Sequence, residues 1–62
     1  MLTEEGIKKR IKWLNDIQED LRLKGIEYLA NGEIYRISDV MDKISETRGK
    51  IIALELVLNE ND

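Results

Sequence analysis

The sequence has no cysteine, no histidine and no proline. Without cysteine the chain forms no disulfide, and without cysteine or histidine it has none of the usual zinc ligands. General acid–base catalysis most often uses histidine, and the two serines and two threonines have no histidine to activate them. We therefore predict that the protein is not an enzyme and needs no metal or other cofactor.

Long apolar runs and a strong net charge are also missing. No stretch approaches the ~20 apolar residues that span a bilayer, and no secretory segment opens the chain, so we expect a cytoplasmic protein without membrane contact. A net charge of −3, with both signs mixed, makes direct nucleic-acid binding unlikely on composition alone. A small cluster of lysines is interpreted as a solvated helix face, the alternative being a phosphate- or acid-binding patch: Lys8, Lys9 and Lys12.

The length of 62 residues predicts one small domain over residues 1–62, with an acidic, frayed end at 59–62. A chain of this size buries only about 60% of its unfolded surface. We therefore expect it to be marginal alone unless it packs very well or assembles with other chains.

The first part of the chain predicts a helix over Thr3–Lys24. Thr3 is a suitable N-cap, and Glu4 and Glu5 suit the first turn of a helix. Apolar residues then recur at helical spacing and form one stripe, and Gly25 is expected to stop the helix: Ile7, Ile11, Leu14, Ile17 and Leu21.

The central stretch predicts a β-hairpin with strands at Ile26–Ala30 and Glu33–Ile37. Asn31-Gly32 suits a two-residue type I′ turn, and folding the chain there opposes Tyr28 to Tyr35 and Leu29 to Ile34. The predicted fold class is therefore α+β, in the order α-β-β-α. One face of this hairpin is expected to close the core, with Leu29 and Ile34 on the other face: Ile26, Tyr28, Tyr35 and Ile37.

An all-α helical hairpin is the alternative for the same stretch. Tyr28 and Leu29 also continue the stripe of the first helix, and Asn31-Gly32 would then be its C-cap. This arrangement places Gly25 inside a helix, at a cost of about 1 kcal/mol relative to alanine.

The last part of the chain predicts a second helix over Ser38–Asn59, capped by Ser38. Its core-facing line comprises Val40, Ile44, Thr47, Ile51, Leu54 and Leu58. Gly49 interrupts this helix, either to permit a close backbone approach or because it is tolerated. Apolar residues left on other faces are predicted to bind a partner, together with Leu29 and Ile34: Ile52, Leu56 and Val57. The alternative is that Ile52 and Val57 cover the flank of the core and only Leu56 is exposed.

In its predicted element order, its length, its Asn31-Gly32 turn and its Ser38-Asp39-Val40 helix start, the chain resembles the tailed-phage head–tail joining proteins of the lambda gpW type. The resemblance implies a viral structural protein that binds in multiple copies at the portal vertex, in the host cytoplasm and then in the virion. Its partners would be portal and connector proteins, or further copies in a ring. The acidic end at Asp62 speaks against a DNA contact there.

A small homodimeric inhibitor or adaptor is the alternative function. Such a protein would bind a host protein, for example in an anti-defence role, and would dimerise through the second helix. Stoichiometry separates the two hypotheses, because a connector forms rings on a portal whereas an inhibitor forms a defined dimer or a one-to-one complex.

Overall fold

The computed structural model describes residues 3–60, which form an antiparallel helical hairpin. Helix α1 spans Glu4–Ala30, a short 3₁₀ turn spans Ile34–Arg36, and helix α2 spans Ile37–Glu60. Within residues 3–60 there is no strand, so the predicted α+β fold is wrong and the protein is all-α. The molecule is a rod of 46 × 16 × 15 Å.

Helix α1 begins where the sequence predicts. The Gly6 N–H donates to Thr3 Oγ1 at 3.0 Å, and the Ile7 N–H donates to the Thr3 carbonyl at 2.9 Å. Thr3 itself has extended backbone angles. The threonine therefore satisfies a helix N–H that has no partner inside the helix, and the predicted N-cap is confirmed.

The end of α1 explains why the predicted hairpin is wrong. The Gly32 N–H donates to the Leu29 carbonyl at 3.1 Å, and the Glu33 N–H donates to the Tyr28 carbonyl at 2.8 Å. These two bonds, with Gly32 at φ 75°, form a Schellman C-cap. A type I′ turn needs positive φ at both central residues, but Asn31 has φ −89°. Asn31-Gly32 therefore ends a helix, and the predicted strand at Ile26–Ala30 is the last part of α1.

Gly25 lies inside α1 and does not stop it. A Cβ atom at this position would lie 3.6 Å from Val40 Cγ1, so Gly25 sits where α1 approaches α2. Two residues predicted to close the core, Ile26 and Tyr35, are exposed, whereas Tyr28 and Ile37 are half-buried. The cross-strand pairs predicted for this region do not exist, because Ile34–Arg36 is a 3₁₀ turn.

The core is a single seam between the helices, and the predicted core-facing lines of both are confirmed. Ile7, Leu14, Val40 and Ile51 are buried, and the other predicted members are half-buried, apart from Thr47. Thr47 is buried, and its Oγ1 donates to the Lys43 carbonyl at 2.8 Å. The seam follows a seven-residue repeat, which is typical of packed antiparallel helices: Ile7, Leu14, Leu21 and Tyr28 in α1, and Ile37, Ile44, Ile51 and Leu58 in α2.

Helix α2 begins one residue before the predicted cap. Ile37 is its first residue and follows the 3₁₀ turn directly, so Ser38 lies in the first turn of the helix. The frayed end at 59–62 stays a prediction: Asn59 and Glu60 belong to α2, and residues 61 and 62 lie outside the described part of the chain. Neither helix, within the described residues, is long and apolar enough to cross a membrane.

Candidate protein–protein interface

Large apolar side chains are exposed on one flank of the hairpin, in the half next to the connecting turn. They come from the last turns of α1 and the first turns of α2, and they line a groove over Gly25 and Val40. We call this surface the turn-end patch: Ile26, Leu29, Ile37, Met41 and Ile44. Arg22 is the only charged residue among the described residues that line the groove.

Three members of the turn-end patch are more exposed than buried. The exposed fractions are 62% for Ile26, 58% for Leu29 and 63% for Met41. Ile37 and Ile44 are half-buried, since both also belong to the seam. A contiguous apolar surface of this kind is typical of a binding site.

Two residues of the turn-end patch, Leu29 and Met41, lie next to the seam positions in the seven-residue repeat. Two helices that pack only on each other need just the seam positions, whereas a helix in a larger bundle carries an additional apolar position beside them. Leu29 and Met41 occupy that additional position, one on each helix. The positions seven and fourteen residues closer to the open end of the hairpin are polar: Arg22 and Asn15 in α1, and Arg48 and Glu55 in α2. On this flank, the additional apolar position is therefore confined to the turn half.

The residues predicted to bind a partner do not form one surface. Ile52, Leu56 and Val57 expose 48%, 56% and 42% of their side chains, so the alternative in which only Leu56 is exposed is wrong. Ile52 and Leu56 are four residues apart and share the outer face of α2, whereas Val57 lies roughly 100° further round the helix. Leu29 is part of the turn-end patch, and Ile34 is exposed in the 3₁₀ turn.

Sequence reasoning missed Ile26 and Met41 as surface residues. The sequence pattern predicts Ile26 in the core of a hairpin and assigns no role to Met41. The signal that identifies them is the seven-residue repeat, because Tyr28 continues the spacing of Ile7, Leu14 and Leu21 and thereby extends α1 to the turn.

A second groove lies on the other flank, closer to the open end of the hairpin. It is lined by Leu14 and Leu54 from the seam, by the exposed Trp13, and by Ala53. Two cations border it, Arg10 and Lys50, and the Arg10 guanidinium lies 6.0 Å from the centre of the Trp13 ring. Lys50 Nζ also lies 3.8 Å from Glu46 Oε1. This groove is more mixed in chemistry than the turn-end patch.

Arg36, in the 3₁₀ turn, contacts the aromatic ring of Tyr28 in α1 and that of Tyr35 in the turn itself. The Arg36 guanidinium lies 5.5 Å from the centre of the Tyr28 ring and 5.8 Å from that of Tyr35, and Arg36 Nε lies 3.9 Å from Glu33 Oε1. The hydroxyl of Tyr35, then that of Tyr28, and the charge of Glu33 together raise the pKa of Arg36. The contacts of Arg36 join α1 to the 3₁₀ turn and so serve the connection between the helices.

The lysines near the start of α1 belong to a solvated helix face. Lys8, Lys9 and Lys12 are exposed, and Lys8 Nζ lies 3.3 Å from Glu4 Oε1. Exposed pairs of this kind contribute little to stability. In residues 3–60 no group of three or more metal-ligating side chains comes together.

Comparisons of the chain with protein-family models, with curated proteins and with solved structures give no match.

Proposed function

We propose that this chain is a non-enzymatic adaptor or inhibitor that works by binding other protein chains, and that its working form is a homodimer. The observation that carries this proposal is the surface area. The chain exposes 5079 Å², whereas scaling with mass gives about 4,100 Å² for a folded monomer of this size.

The difference between these two surface areas is similar to the area that one partner buries in a protein interface. The excess is about 1,000 Å², and a standard interface covers about 800 Å² on each partner. The radius of gyration, 14.4 Å, also exceeds the value of about 10.6 Å that is typical of a compact domain of this length. A second chain packed against the rod would cover part of this surface.

The small core supports the same proposal. Only four apolar side chains among the described residues are buried, while ten large apolar side chains are exposed. A rod with one apolar seam has little stability of its own, and association is one of the few ways in which so short a chain gains more.

The head–tail joining function is the weaker of the two hypotheses. The resemblance to that family depended largely on an α-β-β-α order, and the structure has no strand in residues 3–60. What supports an adaptor or inhibitor is the helical hairpin with an exposed flank, which suits pairing of two copies into a four-helix arrangement. In such a dimer the outer face of α2, with Ile52 and Leu56, stays available to a target protein.

The residue chemistry supports a role without catalysis. The chain has no histidine or cysteine, and the carboxylates of Asp16, Glu19 and Asp20 are exposed to solvent. Neither groove described above is lined by a nucleophile with a base beside it.

The mass of the purified protein in solution tests the proposal. Light scattering behind size exclusion, over a wide range of concentrations, is expected to give twice the chain mass. A monomer at every concentration would contradict self-association. A ring of many copies would contradict the dimer and restore the connector hypothesis.

A further inference from the structure

We infer that the turn-end patch is the surface through which a second copy of this chain binds, in a twofold-symmetric contact of patch against patch. This inference rests on the proposed homodimer and names its contact surface. In such a contact the same surface is used on both copies, so the surface must be complementary to itself.

The chemistry of the turn-end patch meets this requirement. Its groove is lined by apolar side chains, and Arg22 is the only charge among the described lining residues. An apolar surface without a charge pattern matches a copy of itself, whereas a surface with strong charge of one sign would repel its copy. The Trp13 groove has two cations at its border, Arg10 and Lys50, and is therefore less suited to pairing with itself.

The shape of the turn-end patch also suits a second helical hairpin. Gly25 lines the groove without a side chain, while Ile26, Leu29 and Met41 line it with side chains that are mostly exposed. Side chains that project beside a depression are what interdigitating helices need. On the outer face of α2, by contrast, Ile52 and Leu56 stand between the polar positions Arg48, Glu55 and Asn59.

The extent of the patch sets the geometry of the dimer. The position beside the seam is apolar at Leu29 and Met41 but polar at Arg22, Asn15, Arg48 and Glu55. The two copies are therefore expected to overlap along their turn halves, where four helices pack together, and to leave the open halves of both hairpins unpaired.

Cysteine cross-linking tests the contact without interference, because the native chain has no cysteine. Met41→Cys and Ile26→Cys place thiols in the turn-end patch, and Leu56→Cys places one on the outer face of α2. Under mild oxidation at low micromolar concentration, at least one of the patch variants is expected to form a covalent dimer, and Leu56→Cys is expected to stay monomeric on a denaturing gel. Cross-linking of Leu56→Cys with none at either patch position would overturn the inference.

Charge substitution gives an independent measurement. Met41 is mostly exposed in the single hairpin, so Met41→Lys should leave the helical circular dichroism unchanged. A lysine buried twice at a twofold contact should raise the dimer dissociation constant by about a hundredfold or more. Leu56→Lys, the matched control, should change it less than about threefold.

The outcomes separate the contact surface from the dimer itself. If Leu56→Lys dissociates the dimer and Met41→Lys does not, or if both weaken it equally, the turn-end patch is not the specific contact, although the homodimer stands. If the unmodified protein is monomeric throughout, the proposed function fails with it.

Discussion

At the scale of single residues, three glycines show how one residue type takes different roles. Gly32 has φ 75° and caps α1, so its conformation is one that other residues adopt at a cost. Gly25 lies where α1 approaches Val40, and Gly49 lies in α2 with open space where a Cβ would stand. The sequence alone does not separate Gly25 from Gly32, because either glycine can end the first helix.

The glycines give a prediction on stability. Gly49→Ala should raise the free energy of unfolding by up to about 1 kcal/mol, since alanine favours the helix and nothing obstructs its methyl group. Gly32→Ala, the matched change at positive φ, should lower it by about 1 kcal/mol. Urea denaturation of the three proteins measures both, and a loss of stability in Gly49→Ala would show that this glycine is required.

Thr47 gives a second prediction at this scale. Its buried hydroxyl donates to the Lys43 carbonyl within its own helix, so removal of the hydroxyl leaves no buried group without a partner. Thr47→Val should therefore leave the free energy of unfolding unchanged or raise it by up to about 1 kcal/mol. The thermal midpoint should stay the same or rise accordingly. Thr47→Ala, which removes the methyl group as well, should lower the midpoint. A marked loss in Thr47→Val would show that the hydroxyl is needed.

At the scale of elements, the helix faces were predictable and the connection was not. Spacing alone identified the seam, because apolar residues in both helices recur at helical intervals. Asn31-Gly32 suits either a hairpin turn or a helix C-cap, and cross-strand pairing such as Tyr28 with Tyr35 favoured the wrong one. The deciding signal was the seven-residue interval from Leu21 to Tyr28, which continues the first helix through Gly25.

The seam of α2 gives a prediction with a neighbouring control. Ile51 is buried and Ile52 is about half exposed, although the two are adjacent and identical in type. Ile51→Ala should destabilise the protein by ~2–4 kcal/mol, which is most of the stability expected for so small a domain. Ile52→Ala should cost less than about 1 kcal/mol. Equal losses in chemical denaturation would contradict the assignment of the seam.

At the scale of the whole molecule, the candidate interface depends on the fold that the sequence did not reveal. Ile26, Leu29 and Met41 come together only when α1 extends to Ala30 and α2 returns directly from the 3₁₀ turn. A hairpin of strands would have placed Ile26 in the core. The exposed apolar residues of α2 were predictable from composition, because seven of the eight residues from Ile51 to Leu58 are apolar. Their division between the outer face and the flank required the structure.

The dependence of the thermal midpoint on protein concentration tests the homodimer and its contact together. A dimer that unfolds to separate chains is stabilised by mass action, so a hundredfold rise in concentration should raise the midpoint of the unmodified protein by several degrees. Met41→Lys should show a lower midpoint, which does not depend on concentration wherever the variant is monomeric. A midpoint of the unmodified protein that stays constant over the same range would contradict the account, because it would show that the single hairpin is the unit that folds.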